Sequence, residues 1–232
     1  DYDGRKAYVR RVDCDYFTDA IDYTQVKVLE ESDRLPVAQG VSAAHGEVRV
    51  NTQVVGWKKI KFFTLENVGA GHLSMPEQEM HTTSFWLHFP ADFLRKFPDL
   101  SPTERQTGLS GLGTALQTIA SLLLMCDSRD LGVALTEDAA NGLTAWEPNL
   151  YLFDAYPGGI GQSIPLFRMQ SLLLERTQEL IQACPCEAGC PSCVGPVGEI
   201  GERGKEAALR FLLALRNSAS GQIETGADQT PT

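Results

Sequence analysis

Before residue 90 apolar side chains tend to alternate with polar ones, and from Ser101 onward they recur at intervals of three and four. Alternation marks a strand with one buried face, and the longer interval marks an amphipathic helix. The pattern predicts strands over 5–12 and 23–29, joined by a loop holding Asp13, Asp15, Asp19 and Asp22. Those acids do not alternate around a glycine as calcium-loop ligands do, so they read as solvated turn residues. The polar stretch 30–46 reads as a linker or a long surface loop. Over 47–65, Val48, Val50, Thr52 and Val54 share a face, and after Gly56 so do Ile60, Phe62 and Thr64. This predicts a hairpin or a bent pair of strands, with Gly56 at the turn or at a bulge.

A further strand is predicted up to Phe89, where Pro90 stops it. Its two-residue period places Glu77, Glu79, His81, Thr83, Phe85, Leu87 and Phe89 on one side. A short helix follows over 91–97. Ser101-Pro102-Thr103-Glu104 is a capping box with proline at the first helical position. The helix it starts carries an apolar seam through Leu109, Leu112, Leu116, Ile119 and Leu123. Gly108, Gly111 and Gly113 predict either a break near Gly108 or close packing against another backbone. Short buried strands over 133–135 and 150–153 flank an Asn141-Gly142 turn, and helices are expected over 163–183 and 204–216. The tail, 217–232, is small and polar and reads as disordered. The class is α+β: antiparallel strands in the N-terminal half, helices in the C-terminal half, and one domain over 1–216.

The densest chemistry is Cys184-Pro185-Cys186-Glu187-Ala188-Gly189-Cys190-Pro191-Ser192-Cys193. Four thiols spaced Cys-x-Cys-x3-Cys-x2-Cys suit a tetrahedral ion of the zinc kind, with the Cys190–Cys193 knuckle offering two sulfurs from one turn. Pro185, Pro191 and Gly189 restrict or bend the loop so that less entropy is lost in wrapping the ion. An iron–sulfur cluster is the alternative use of four cysteines, although its usual spacings differ. Disulfides fit poorly between thiols so close in sequence. With four protein ligands the site is closed, which makes it a structural staple rather than a catalytic metal. Cys14 and Cys126 lie apart and read as buried free thiols of a reducing compartment.

Three other clusters carry candidate chemistry. Trp57, Lys58, Lys59 and Lys61 could contact DNA, the lysines taking phosphates and a base stacking on Trp57, or could guard an exposed strand edge. Glu77, Glu79 and His81, with Asp154, could surround a second metal in a nuclease or hydrolase, or form a hydrogen-bonded network. Asp154-Ala155-Tyr156-Pro157-Gly158-Gly159-Ile160-Gly161 could bind an anion or form a tight structural turn. Asp154, Tyr156, Gly158, Gly159 and Gly161 are its key residues, and neither a P-loop nor a dinucleotide fingerprint is present. The net charge of −10 argues against a broad nucleic-acid grip, so any DNA contact is local, and an acidic surface also suits a protein-interaction module. No apolar run in the sequence suggests a membrane helix. The chain opens on Asp1 with no leader, as expected for a piece of a larger protein.

Five motifs in this order resemble a known region. They are Trp57-Lys58-Lys59-Ile60-Lys61-Phe62, Pro76-Glu77-Gln78-Glu79-Met80-His81-Thr82, Leu122 to Asp127 with Arg129 to Gly132, Asp154 to Gly161, and the knuckle closing in Val194-Gly195-Pro196. Together they resemble, from about Arg5 to Leu215, the C-terminal zinc-binding (MZB) domain of MrfA/YprA-type superfamily 2 DNA helicases. The resemblance implies an ATP-driven 3′ to 5′ helicase of DNA repair, with zinc held by Cys184, Cys186, Cys190 and Cys193. It also implies two RecA-like motor domains of the same protein as partners; beside them, weak or local contact with DNA and self-association are the expected alternatives for this region's own role. This chain has no Walker lysine, no Asp-Glu-x-His box and no arginine finger motif. Alone it is expected to be an accessory region, not an ATPase, in a cytoplasmic and nucleoid-associated protein.

Overall fold

The computed structural model describes residues 2–3, 6–64, 66–137 and 146–217. The Asn141-Gly142 turn and the tail beyond Asn217 lie outside the described residues. In chain order the elements are β1 (Tyr2–Asp3), β2 (Lys6–Ala7), β3 (Tyr16–Ala38), β4 (Val41–Lys61), β5 (Asn67–His72), β6 (Gln78–His88), α1 (Ala91–Leu94), α2 (Pro102–Leu124), β7 (Leu131–Glu137), β8 (Pro148–Asp154), α3 (Ser163–Arg168), α4 (Gln170–Ala183), α5 (Val197–Ile200) and α6 (Gly204–Asn217). A 3-10 turn over Ser128–Asp130 leads into β7. The class is α+β as expected, with two strands interleaved among the helices.

Several expected elements are replaced. The segment 30–46 is not a linker: β3 runs through it to Ala38, turns at Gln39-Gly40 and returns as β4. Asp19 and Asp22 therefore lie in a strand rather than a loop. Gly56 is likewise no turn but sits within continuous β4, because a Cβ there would lie 2.8 Å from the Gly71 carbonyl of the paired strand. The irregularity falls later, as a bulge between Lys59 and Ile60. Polar strands escape a period-based reading because neither face is consistently buried, and β3 is exposed along most of its length.

The chain divides into two compact units, one of Asp1–Thr24 and Asn51–Gln78 and the other of Gln25–Val50 and Glu79–Thr232. In the first, β1 pairs with β2, and the latter part of β4 pairs antiparallel with β5, setting Trp57 opposite Gly71 and Lys58 opposite Ala70. A Cβ on Gly71 would lie 2.6 Å from the Trp57 ring, so glycine makes room for the indole.

In the second unit the strand order is β3-β4-β6-β8-β7, and β8 is antiparallel to both β6 and β7. The two faces separate cleanly by period two. Val41, Ala43, Phe85, Leu87, Leu150 and Leu152 join the helices in the main core, while Ala44, Val48, Val50, Trp86, Tyr151 and Phe153 form a second cluster behind the sheet. The edges of the sheet curl toward each other around that cluster, and Thr136 of β7 donates to the Val26 carbonyl of β3 at 3.4 Å.

Helix α2 is the axis of the main core. Ser101 and Glu104 close the capping box from both directions, and the seam from Leu109 to Ile119 is buried. The helix is unbroken at Gly108; close packing is the reason for the glycines. A Cβ at Gly108 would lie 2.5 Å from Ala207 of α6, at Gly111 3.1 Å from the Val194 carbonyl, and at Gly113 2.8 Å from Leu150 of β8. By length and hydropathy α2 could cross a bilayer, yet it packs in the core, as the central helix of a globular unit does. The single helix expected over 163–183 is two, α3 and α4, joined at Met169.

Candidate metal centre

The four-cysteine loop connects α4 to α5. Cys184 caps α4 with an extended backbone and donates its N–H to Leu180 O at 3.2 Å. The Cys190–Cys193 turn is closed by N–H groups of Cys193 and Gly195, both donating to Cys190 O at 3.0 Å. Gly189 is at φ +138°, where a Cβ would meet the Ile200 side chain at 2.6 Å and Gly195 O at 2.8 Å. Only glycine fits that bend. Cys193 and Val194 are fully buried, and Val194 packs on Gly111, so the middle of α2 is the floor of the loop.

The sulfurs of Cys184, Cys186, Cys190 and Cys193 all lie within 4.8 Å of one another. The separations are 3.5 Å for Cys184–Cys186, Cys184–Cys190 and Cys186–Cys193, and 3.6 Å for Cys190–Cys193. One ion about 2.3 Å from four sulfurs sets them about 3.8 Å apart, close to what is seen. A disulfide would bring two sulfurs to about 2.05 Å. An iron–sulfur cluster interposes several atoms and spreads its cysteines more widely than a single ion does. The arrangement fits one tetrahedral metal, and with four thiol donors there is no open position for substrate. Burial pushes the Cys193 thiol up to about 12, so a cation must displace its proton to bind.

Lys205 completes the loop, and the sequence reading does not single it out. Its Nζ donates to the carbonyls of Cys184 at 2.7 Å and Cys186 at 2.5 Å, and its backbone N–H to Ala188 O at 3.3 Å. The one sequence signal is a lysine in the first turn of a helix, where cations are disfavoured.

The other candidates fall elsewhere. Cys126 is half-buried, bonded to Gln162 at 3.8 Å, and burial raises its pKa. Cys14 is exposed rather than buried, because the segment before β3 has no core to enter. Among the described residues the cysteine loop is the one group that could hold a metal. Glu79 and His81 stand 3.5 Å apart but are more than half exposed, Arg49 lies 3.9 Å from Glu79, and Glu77 is exposed before β6.

The Asp154 carboxylate, by contrast, is buried and occupied. Oδ2 accepts the N–H groups of Ile160 at 2.7 Å, Gly161 at 2.9 Å and Gln162 at 3.3 Å, and the Thr83 hydroxyl at 3.0 Å. Among the described residues Glu77, Glu79, His81 and Asp154 do not gather as a metal-holding group. The glycine loop has its own internal anion, which takes the N–H groups a phosphate would need. Gly158 and Gly159 adopt positive φ, Gly158 donates to His81 O at 2.7 Å, and a Cβ at Gly159 would lie 2.7 Å from Thr83 Oγ1. Thr82 donates to both Asp154 O and Tyr156 O, and the Tyr156 hydroxyl donates to Asp130 at 2.8 Å. Three motifs distant in sequence thus interlock.

In the first unit, Lys59 lies over the rings of Tyr16 at 4.7 Å and Trp57 at 5.6 Å. Lys58 pairs with Asp19 at 3.3 Å and Lys61 with Glu66 at 3.8 Å. Phe17, Phe62 and Phe63 are exposed beside them, with Phe63 at φ +70° in the turn after β4.

Fold and site together define a class: an α+β zinc-binding domain closed by four cysteines. Residues 112–194 match the family model of the MrfA Zn-binding domain. The protein named "Uncharacterized ATP-dependent helicase YprA", from Bacillus subtilis (strain 168), is 40% identical over 214 residues, which span 91% of this chain and 27% of that protein. The crystal structure of the DUF1998 helicase MrfA bound to DNA superposes with a TM-score of 0.62 at 35% identity, over 88% of this chain and 26% of that one. A further crystal structure of the DUF1998 helicase MrfA gives a TM-score of 0.55 at 29% identity, over 83% of this chain and 24% of that one. The chain spans about a quarter of the length of the relatives it matches.

Proposed function

We propose that residues 1–216 are the accessory, non-catalytic region of an ATP-dependent 3′ to 5′ DNA-repair helicase, supporting its motor domains and the path of single-stranded DNA. The observation that carries this reading is the convergence of four sulfurs within 4.8 Å, in a stretch 40% identical to part of a helicase. Cys184, Cys186, Cys190 and Cys193 are the zinc ligands, and the ion staples α4 to α5 and α6 against α2. When bound, it supplies folding energy rather than reactivity. The seat of any DNA contact is Trp57, Lys58, Lys59 and Lys61, extended by the exposed rings of Phe17, Phe62 and Phe63. The ion pairs of Lys58 and Lys61 must open or share to meet phosphate, so the contact is weak and local. Self-association and a cytoplasmic, nucleoid-associated location belong to the same reading.

The test is metal content and DNA binding on one purified sample. One zinc per chain, no ATP hydrolysis, and salt-sensitive binding of a fluorescent single-stranded oligonucleotide are expected. Trp57→Ala should weaken that binding by about tenfold, the order of one lost base stack. Iron with visible absorption would sink the zinc assignment, and DNA binding unchanged by Trp57→Ala and Lys59→Ala together would sink this contact surface.

A further inference from the structure

Lys205 is a half-buried cation without a carboxylate partner among the described residues. The arginines on and just before α6 differ: Arg203 and Arg210 both pair with Asp99, and Arg216 pairs with Glu175. Its place in the first turn of a 14-residue helix makes matters worse, because the peptide dipoles already make that end positive. A partly desolvated charge so placed costs free energy unless an opposite charge compensates it. The two carbonyls that Nζ holds belong to Cys184 and Cys186. A divalent ion in four thiolates bears a formal charge of two minus, on that same loop.

We infer that Lys205 is the counter-ion and positioning residue of the zinc–thiolate centre. Its carbonyl bonds hold Cys184 and Cys186 in the metal-binding bend, and its charge favours the loaded, anionic loop over the emptied one. Retention of zinc therefore depends on a side chain that is not a ligand. The inference rests on the zinc reading above and adds to it a residue outside the cysteine loop.

The experiment follows zinc transfer from the full 232-residue chain to an excess of a chelating dye, together with alkylation of the freed thiols by iodoacetamide. Lys205→Gln keeps N–H donors and removes the charge, while Lys205→Arg keeps the charge. Release from Lys205→Gln is expected to be faster by about tenfold, the scale on which groups behind metal ligands act. Lys205→Arg should stay within a fewfold of the wild type. Release from the wild type should quicken with ionic strength, and that dependence should flatten in Lys205→Gln. A purely structural role would not produce the flattening.

Equal release from wild type and Lys205→Gln overturns the inference, as does Lys205→Arg failing as badly as Lys205→Gln. Should Lys205→Gln not fold, the wild type still decides, since release indifferent to salt excludes a counter-ion. A wild type that holds no zinc overturns the metal reading itself, and metal analysis before the dye is added separates the two failures.

Discussion

Gly108 of α2 and Ala207 of α6 touch so closely that a Cβ on the glycine would sit 2.5 Å from that of the alanine, and 3.1 Å from the Phe211 ring. The two helices are thus held at a spacing that only a missing side chain permits. Helix propensity alone would favour Gly108→Ala by about 1 kcal/mol. Overpacking against a rigid Cβ costs about 1–3 kcal/mol and wins. Gly108→Ala should therefore lower the melting temperature, whereas Gly198→Ala, which meets nothing within 4 Å, should leave it level or raise it slightly. Differential scanning calorimetry of the two variants checks the contrast.

The Asp154 carboxylate satisfies three consecutive backbone N–H groups and one hydroxyl in a buried turn. Asp154→Ala strands those donors and should destabilise the fold by about 3 kcal/mol. Asp154→Asn keeps an acceptor without the charge and should cost less, about 1–2 kcal/mol. Urea titration gives both values. Zinc content should stay at wild-type level in both variants at low urea, because the turn and the cysteine loop are separate sites.

The loop before α2 is tied to α6 by charge, and that tie is pH-dependent. Hydrogen bonds from Arg210 and then Arg203 hold the Asp99 carboxyl well below its ordinary 3.8. Bonds from the Ser101 backbone hold Glu104 below its ordinary 4.5, and Arg203 does the same for Glu206. A depressed folded-state pKa contributes stability that is full above the unfolded value and lost as pH falls toward the folded one. The cluster should therefore contribute its whole share above about pH 5 and lose it progressively below about pH 4. Exposure and salt keep that share small. Melting curves of wild type and Asp99→Asn should converge as pH drops, and converge at neutral pH in high salt.

Removing one ligand should couple metal loss to stability. Cys190→Ser leaves three sulfurs and an acceptor-poor turn, so zinc content and melting temperature should fall together. A strong chelator added to the wild type should produce the same loss, and restored zinc should reverse it. A variant that loses zinc but melts as before would refute the staple.

Much of this was legible from local pattern. The capping box at Ser101 and Glu104, the seam through Leu109 and Ile119, and the paired faces of β6 each follow from side-chain period and short-range hydrogen bonding. The cysteine loop was legible because its ligands lie within ten residues, so loop closure does most of the gathering. The long strand β3 was not, because a mostly exposed ribbon pairs through its backbone and shows no consistently buried face to betray it, and the start of β4 was hidden because both of its faces are buried and no alternation shows. Gly56 looked like a turn for the same reason: only the neighbouring Gly71 carbonyl explains it.

The sequence by itself determined the class, the tetrahedral donor set and the start of the central helix, since these depend on residues close in the chain. Tertiary structure alone decided that Asp154 fills its own glycine loop, that Glu79 and His81 stand exposed, and that Lys205 reaches back to the carbonyls of Cys184 and Cys186. Those are relations between segments many residues apart, and sequence spacing carries no distance once the chain has folded over itself.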